Sequence, residues 1–135
     1  MIVDTSALLA FFDANEPLHA AVTDALTSAH ELLVISPYVL AEVDYLVATR
    51  HGSAAELAVL GELTGGAWEL ASLDLANVHE ARAVIEDYAD LEIGLADASM
   101  VVLAGRYRTR AIATLDRRHF SVLRTLDGHA FDIVP

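Results

Sequence analysis

In Met1-Ile2-Val3-Asp4-Thr5-Ser6, three apolar residues end on a carboxylate that is followed at once by two hydroxyls. An apolar run that short, closed by a charge, reads as a strand buried on both faces rather than as a helix. Asp4 then stands at the carboxyl end of the strand, and it is the only charge in the first twelve residues. Working outward, Leu32 to Ile35, Ala67 to Ala71, Arg110 to Leu115 and Phe131 to Val134 read as further strands. Helical stretches separate them: Ser6 to Phe12, Pro17 to Ala29, Pro37 to about Arg50, Ser53 to near Gly65-Gly66, Leu75 to Tyr88, and Leu95 to Ala104. Pro17 suits a first helical turn, Ser36-Pro37 reads as an N-cap followed by Pro at the first helical position, and Ser53-Ala54-Ala55-Glu56 has capping-box spacing. Short apolar strands alternating with helices predict an α/β domain spanning residues 1–135, its parallel sheet covered on both faces. In such sheets ligands bind at the carboxyl ends of the strands, where the strand order reverses.

Composition narrows the chemistry. The chain has 135 residues, 55% of them hydrophobic, which is enough for a real core, and no linker or repeat divides it. It contains no cysteine, so disulfides, thiolate zinc sites and cysteine nucleophiles are excluded. It contains no lysine either, which argues against receiver domains, haloacid-dehalogenase-like phosphatases and P-loop NTPases. The longest uncharged stretch, Leu32 to Ala41, is ten residues, whereas a membrane span needs about 20. With no basic leader ahead of Asp4, a soluble, cytoplasmic protein with no membrane partner is expected. The net charge of −12 opposes nucleic-acid binding by bulk attraction, yet six of the eight Arg residues lie between Arg106 and Arg124.

Three acids stand alone in apolar surroundings. Asp4 closes the first strand, Asp97 is the only charge between Ile93 and Gly105, and Asp116 follows Ile112-Ala113-Thr114-Leu115. Each has an ordinary explanation: Asp4 as a helix cap, Asp97 as a partner of its helix dipole, Asp116 as a turn residue paired with Arg117. Together, in this order of elements, they converge on one side of the sheet. Clustered carboxylates without cationic partners raise one another's pKa or bind a divalent cation, and oxygen donors without cysteine favour Mg²⁺ or Mn²⁺. A fourth acid lies on the Pro37–Arg50 helix, where Glu42 and Asp44 flank the Val39, Val43, Leu46, Val47 stripe on opposite sides, and periodicity does not choose between them.

Asp4-Thr5-Ser6, Ser36-Pro37 followed by Glu42, Gly94-Leu95-Ala96-Asp97-Ala98 and Thr114-Leu115-Asp116, in that order along the whole length, resemble the PIN-domain nucleases. Within them the chain is similar to VapC-type toxins of the VapBC toxin–antitoxin class. The resemblance implies a PIN-like three-layer sandwich, a five-stranded, mainly parallel sheet with helices on both faces. It also implies a metal-dependent endoribonuclease that cuts a structured cellular RNA (tRNA or rRNA) and leaves 5′-phosphate and 3′-hydroxyl ends. It selects Glu42 over Asp44 and makes Asp4, Glu42, Asp97 and Asp116 the catalytic, metal-holding quartet for one or two Mg²⁺ or Mn²⁺ ions. Ser6 and Thr114 match supporting polar positions, with Thr5 a weaker candidate. Implied partners are the RNA, a cognate VapB-type antitoxin whose tail crosses the acidic groove, and a second copy in a homodimer or toxin–antitoxin hetero-oligomer. The alternatives are a housekeeping PIN nuclease without antitoxin and a catalytically silent PIN binding module; the intact quartet argues against the latter.

Arg117, Arg118 and His119 follow Asp116 directly and are candidates for holding RNA phosphates, against a plainer reading as surface pairs for an acidic protein. For His119 an exposed position at a helix start is expected over a role in protonating the leaving group. Trp68, Tyr38 and Tyr45 are expected in packing. The helices at Leu8-Leu9-Phe11-Phe12 and Val39 to Leu46 are expected either to meet a partner or to lie in the core.

Overall fold

The computed structural model describes residues 1–135. The chain runs β1 (Ile2–Val3), α1 (Thr5–Phe12), α2 (His19–Thr27), β2 (Val34–Ile35), α3 (Pro37–His51), α4 (Ser53–Leu63), β3 (Glu69–Leu70), α5 (Leu75–Asp87), α6 (Leu95–Tyr107), β4 (Ala111–Ala113), α7 (Arg117–Phe120) and β5 (Asp132–Val134), with a 3₁₀ turn at Ala89–Leu91. The five strands form one sheet in the order β3-β2-β1-β4-β5, and every pairing is parallel. This is the α/β architecture expected from the alternation of apolar strands and helices.

β1 is central. Ile2 pairs with Val34 on one side and Ile112 on the other, and Ile2, Val34 and Ile112 are all essentially inaccessible. The chain moves outward from β1 to β2 and β3, then returns across the sheet to β4 and β5. Because parallel crossovers are right-handed, the outward connections cover one face and the returning ones the other. The reversal falls between β1 and β4, so the residues just beyond Val3 and Ala113 occupy the crevice where such sheets bind ligands. α6 is the most buried helix, with every residue from Ala98 to Ala104 in the core.

Several boundaries differ from the sequence reading. Strands of two or three residues replace the longer runs; β1 and β4 end at Val3 and Ala113, just before the Asp4 and Thr114 side chains meet each other. β3 is an edge strand whose two residues are exposed, flanked by buried Trp68 and Ala71. α2 begins at His19 rather than Pro17, because Asp13 accepts from the Asn15 backbone in a turn and His19 N–H then bonds to the Glu16 carbonyl. Ser53 is not a cap: Gly52, at φ +83°, ends α3 and starts α4 directly, and no side chain caps the new helix. In the Leu8–Phe12 and Val39 stretches, Leu8 and Val39 are fully buried in the core, while Leu9, Phe11 and Phe12 are partly buried against it. Trp68 is buried as expected, but Tyr45 points to water at 67% exposure, along with Leu57 and Leu75. No helix is long and apolar enough to cross a membrane.

Candidate active site

Asp4 leaves the end of β1 with its backbone N–H bonded to Ala113 of β4, and it caps α1, Oδ1 accepting from Thr5 N–H at 2.7 Å. Its other oxygen accepts from the Ser6 hydroxyl at 2.6 Å and the Thr114 hydroxyl at 2.7 Å. Both hydroxyls are themselves held: Leu115 N–H donates to Ser6 Oγ and Asp116 N–H to Thr114 Oγ1, each at 2.9 Å. The carboxylate is 7% exposed and accepts three hydrogen bonds, a satisfied network that fixes its orientation. Ser6 and Thr114, the two hydroxyls named beside the acids, thus both donate to Asp4.

Asp97 arrives from the opposite direction, in the first turn of α6, where Gly94 N–H donates to its Oδ2 at 3.3 Å. Burial pushes the Asp97 carboxyl above the ordinary carboxylate range; the Gly94 N–H and the His119 ring oppose the shift, while the Asp4 and Asp116 carboxylates add to it. The acids from β1, α6 and the end of β4 thus share one electrostatic field. Asp116 caps α7, its Oδ1 accepting from His119 N–H at 3.1 Å.

His119 departs from its expected position. Its side chain is 17% exposed, and Nδ1 lies 3.0 Å from Asp116 Oδ2 and 3.4 Å from Asp97 Oδ2. The neighbouring Phe120 is fully buried and packs edge-on against Phe131, which rolls the short α7 inward and carries the imidazole with it. The ring faces the acids and is not displayed beside Arg117 and Arg118.

Glu42 joins through Thr5, whose hydroxyl donates to Glu42 Oε2 at 2.6 Å, so the weaker supporting candidate is the link between α1 and α3. A second link was not read from the sequence. Ser36 caps α3 and its hydroxyl meets that of Ser99 on α6 at 2.6 Å; both residues are completely buried, and Ser99 also donates to the Ala96 carbonyl. Its sequence signal was available: Ser99 is the only hydroxyl in the apolar run from Ala98 to Ala104.

The arginines divide by role. Arg117 donates to the Pro135 carbonyl, Arg124 to the carbonyls of Ser121, Val122 and Leu123, Arg106 to that of Ser72, and Arg110 pairs with Asp132. Arg118 is exposed and enters none of the ion pairs. No guanidinium therefore neutralises Asp4 or Asp97. A partly buried group of carboxylates, hard oxygen donors with only an imidazole nearby, suits a divalent cation that offsets their repulsion. No three Asp, Glu or His side chains stand as a finished coordination set. Beside the acids, a groove of about 670 Å³ runs from Ser6 and Leu115 past Leu9 and Phe12 to Arg50 and His51.

The model of the PIN-domain family matches residues 1–125. Ribonuclease VapC26 of Mycobacterium tuberculosis is 61% identical to this chain over 135 residues, covering 100% of each. The crystal structure of Mycobacterium tuberculosis VapC20, a sarcin-ricin loop cleaving toxin, superposes with a TM-score of 0.79 at 19% identity, over 86% of this chain and 89% of that one. A toxin–antitoxin complex from Klebsiella pneumoniae gives 0.69 at 16% identity, over 99% of this chain and 95% of that one. At those identities the two structures speak for the fold alone. The family match and the full-length relative, on a parallel sheet with acids gathered at its reversal point, place the chain in the PIN-domain family, among the VapC ribonucleases.

Proposed function

We propose that the chain is the toxin of a type II toxin–antitoxin pair, an endoribonuclease that hydrolyses a phosphodiester bond in a structured cellular RNA, either tRNA or rRNA. Asp4, Glu42, Asp97 and Asp116 hold Mg²⁺ or Mn²⁺, in line with the divalent-metal dependence general among VapC ribonucleases. The observation that carries this reading is the gathering of carboxylates from β1, α6 and the end of β4 with no Arg between them. When bound, the metal lowers the pKa of the attacking water and offsets the charge building on the phosphate. The chain's own residues supply alignment. Asp4 is locked by Thr5, Ser6 and Thr114; Thr5 sets Glu42; the Gly94 N–H sets Asp97; and Asp116 stands at the rim. Arg118, exposed beside that rim, offers the RNA backbone a cation that the acidic pocket lacks. The half-apolar groove beside Ser6 and Leu115 receives a VapB-type antitoxin, and the exposed Tyr45 and Leu57 on α3 and α4 meet a second copy.

The test is induced expression of wild type and Asp4→Asn, with growth followed and new 5′-phosphate RNA ends sequenced. Wild type arrests growth and produces discrete ends, whereas Asp4→Asn folds and loses cleavage by about 100-fold or more. Equal ends at equal metal-dependent rates from both proteins would remove Asp4 from the reaction.

A further inference from the structure

We propose that His119 is a positioning residue of the acidic centre: its Nδ1, set between the Asp97 and Asp116 carboxylates, fixes where those groups stand and so how tightly the centre holds a divalent ion. The inference rests on the metal-holding role given above to the four acids. Three observations carry it. First, Nδ1 lies 3.0 Å from Asp116 Oδ2 and 3.4 Å from Asp97 Oδ2, joining an acid at the head of α6 to one that follows β4. No other side chain bridges those two elements at the site.

Second, Nδ1 is enclosed by protein yet makes no well-formed hydrogen bond. A buried polar atom without a partner is rare and costly, and it calls for a functional explanation. Here the atom's polar neighbours are two carboxylate oxygens at 3.0 and 3.4 Å, the acceptors that an Nδ1–H would take. Third, the ring cannot swing away freely. His119 N–H is bonded to Asp116 Oδ1, its carbonyl accepts from Leu123 N–H, and Phe120 and Leu123 on either side of that turn are fully buried. His119 therefore touches both oxygens of Asp116, one through its backbone and one through its ring.

The role belongs to one nitrogen rather than to the bulk of the ring, which separates it from packing. An Asn amide nitrogen falls near the place of Nδ1, and a Gln amide nitrogen falls near that of Nε2. The experiment titrates Mn²⁺ into metal-free, full-length protein without RNA, reading free Mn²⁺ by electron paramagnetic resonance, with circular dichroism to verify folding. Wild type binds Mn²⁺. His119→Ala and His119→Gln bind it about 10–100-fold more weakly, the usual cost of losing a group that orients metal ligands, and His119→Asn stays close to wild type. Wild-type affinity in His119→Ala and His119→Gln overturns the proposal, as does equal weakening in all three variants, which marks a packing role. If the Ala variant does not fold, the comparison of Asn with Gln decides. Nitrogen coupling to bound Mn²⁺ in the pulsed spectrum of wild type overturns it in another way, making His119 a ligand. Failure of wild type to bind Mn²⁺ overturns the acidic-centre reading instead, and this proposal with it.

Discussion

Asp97 is held partly out of water at the head of α6, with the Asp4 and Asp116 carboxylates close enough to repel it. Its raised pKa has a definite sign for stability. Between the ordinary carboxylate value of 3.8 and the raised one, the folded protein keeps a proton that the unfolded chain has lost. Metal-free stability therefore falls as pH rises through that window and stays reduced above it. Asp97→Asn removes the charge while its amide oxygen can still accept from Gly94 N–H, so the variant melts higher than wild type at pH 7 in chelator. The gap narrows as pH drops toward the ordinary carboxylate range. Saturating Mn²⁺ reverses the order, because only wild type gains from binding. Scanning fluorimetry across pH, with chelator and then with metal, measures all of this; a lower melting point for Asp97→Asn in chelator contradicts it. Asp4, Asp97 and Asp116 were legible in the sequence because each is a lone charge in an apolar run, and a lone buried charge needs a reason. Glu42 was not legible from physics. It and Asp44 flank the same stripe of α3, and what distinguishes Glu42 is a hydrogen bond to Thr5, 37 residues away.

Among the elements, α6 does the most to place the site, since Asp97 is carried on a helix whose residues from Ala98 to Ala104 are all buried. Leu103 is fully buried there, and Leu103→Ala should cost about 2–5 kcal/mol in urea unfolding, with cleavage per folded molecule largely kept. A loss below about 1 kcal/mol would mean that the helix repacks and does not hold Asp97 rigidly. Helix existence was easy to read from periodicity, and helix starts were not. The α4 start looked like a Ser53 box, but Gly52 has the positive φ that allows two helices to meet at a corner. The inward roll of α7 was unreadable for a different reason. Four residues carry no period, and its direction is set by Phe120 meeting Phe131, a contact made only in the folded chain.

For the molecule as a whole, a net charge of −12 repels RNA at long range, so capture depends on local cations. Most Arg side chains are occupied within the chain; Arg118, two residues beyond Asp116, and Arg50, in the groove beside Ser6, are exposed and unpaired. Arg118→Ala should raise KM with little change in kcat and should lower the salt slope of RNA binding by about one. An unchanged slope would take Arg118 off the RNA path. The strand order, which fixes where the acids meet, was anticipated only as an alternation of elements; which strand is central depends on pairings such as Ile2 with Ile112, distant in sequence. Asp4 and Asp116 each cap a helix, so in the metal-holding role proposed for them the same carboxylates would also hold the fold together. For a cell escaping its own toxin, this shapes the survivors. A single-base change from Asp to Asn at either position keeps a helix-capping side chain while removing the charge. Genetic selection for relief should therefore enrich well-folded, inert proteins that still sequester antitoxin, and not only broken ones that are degraded.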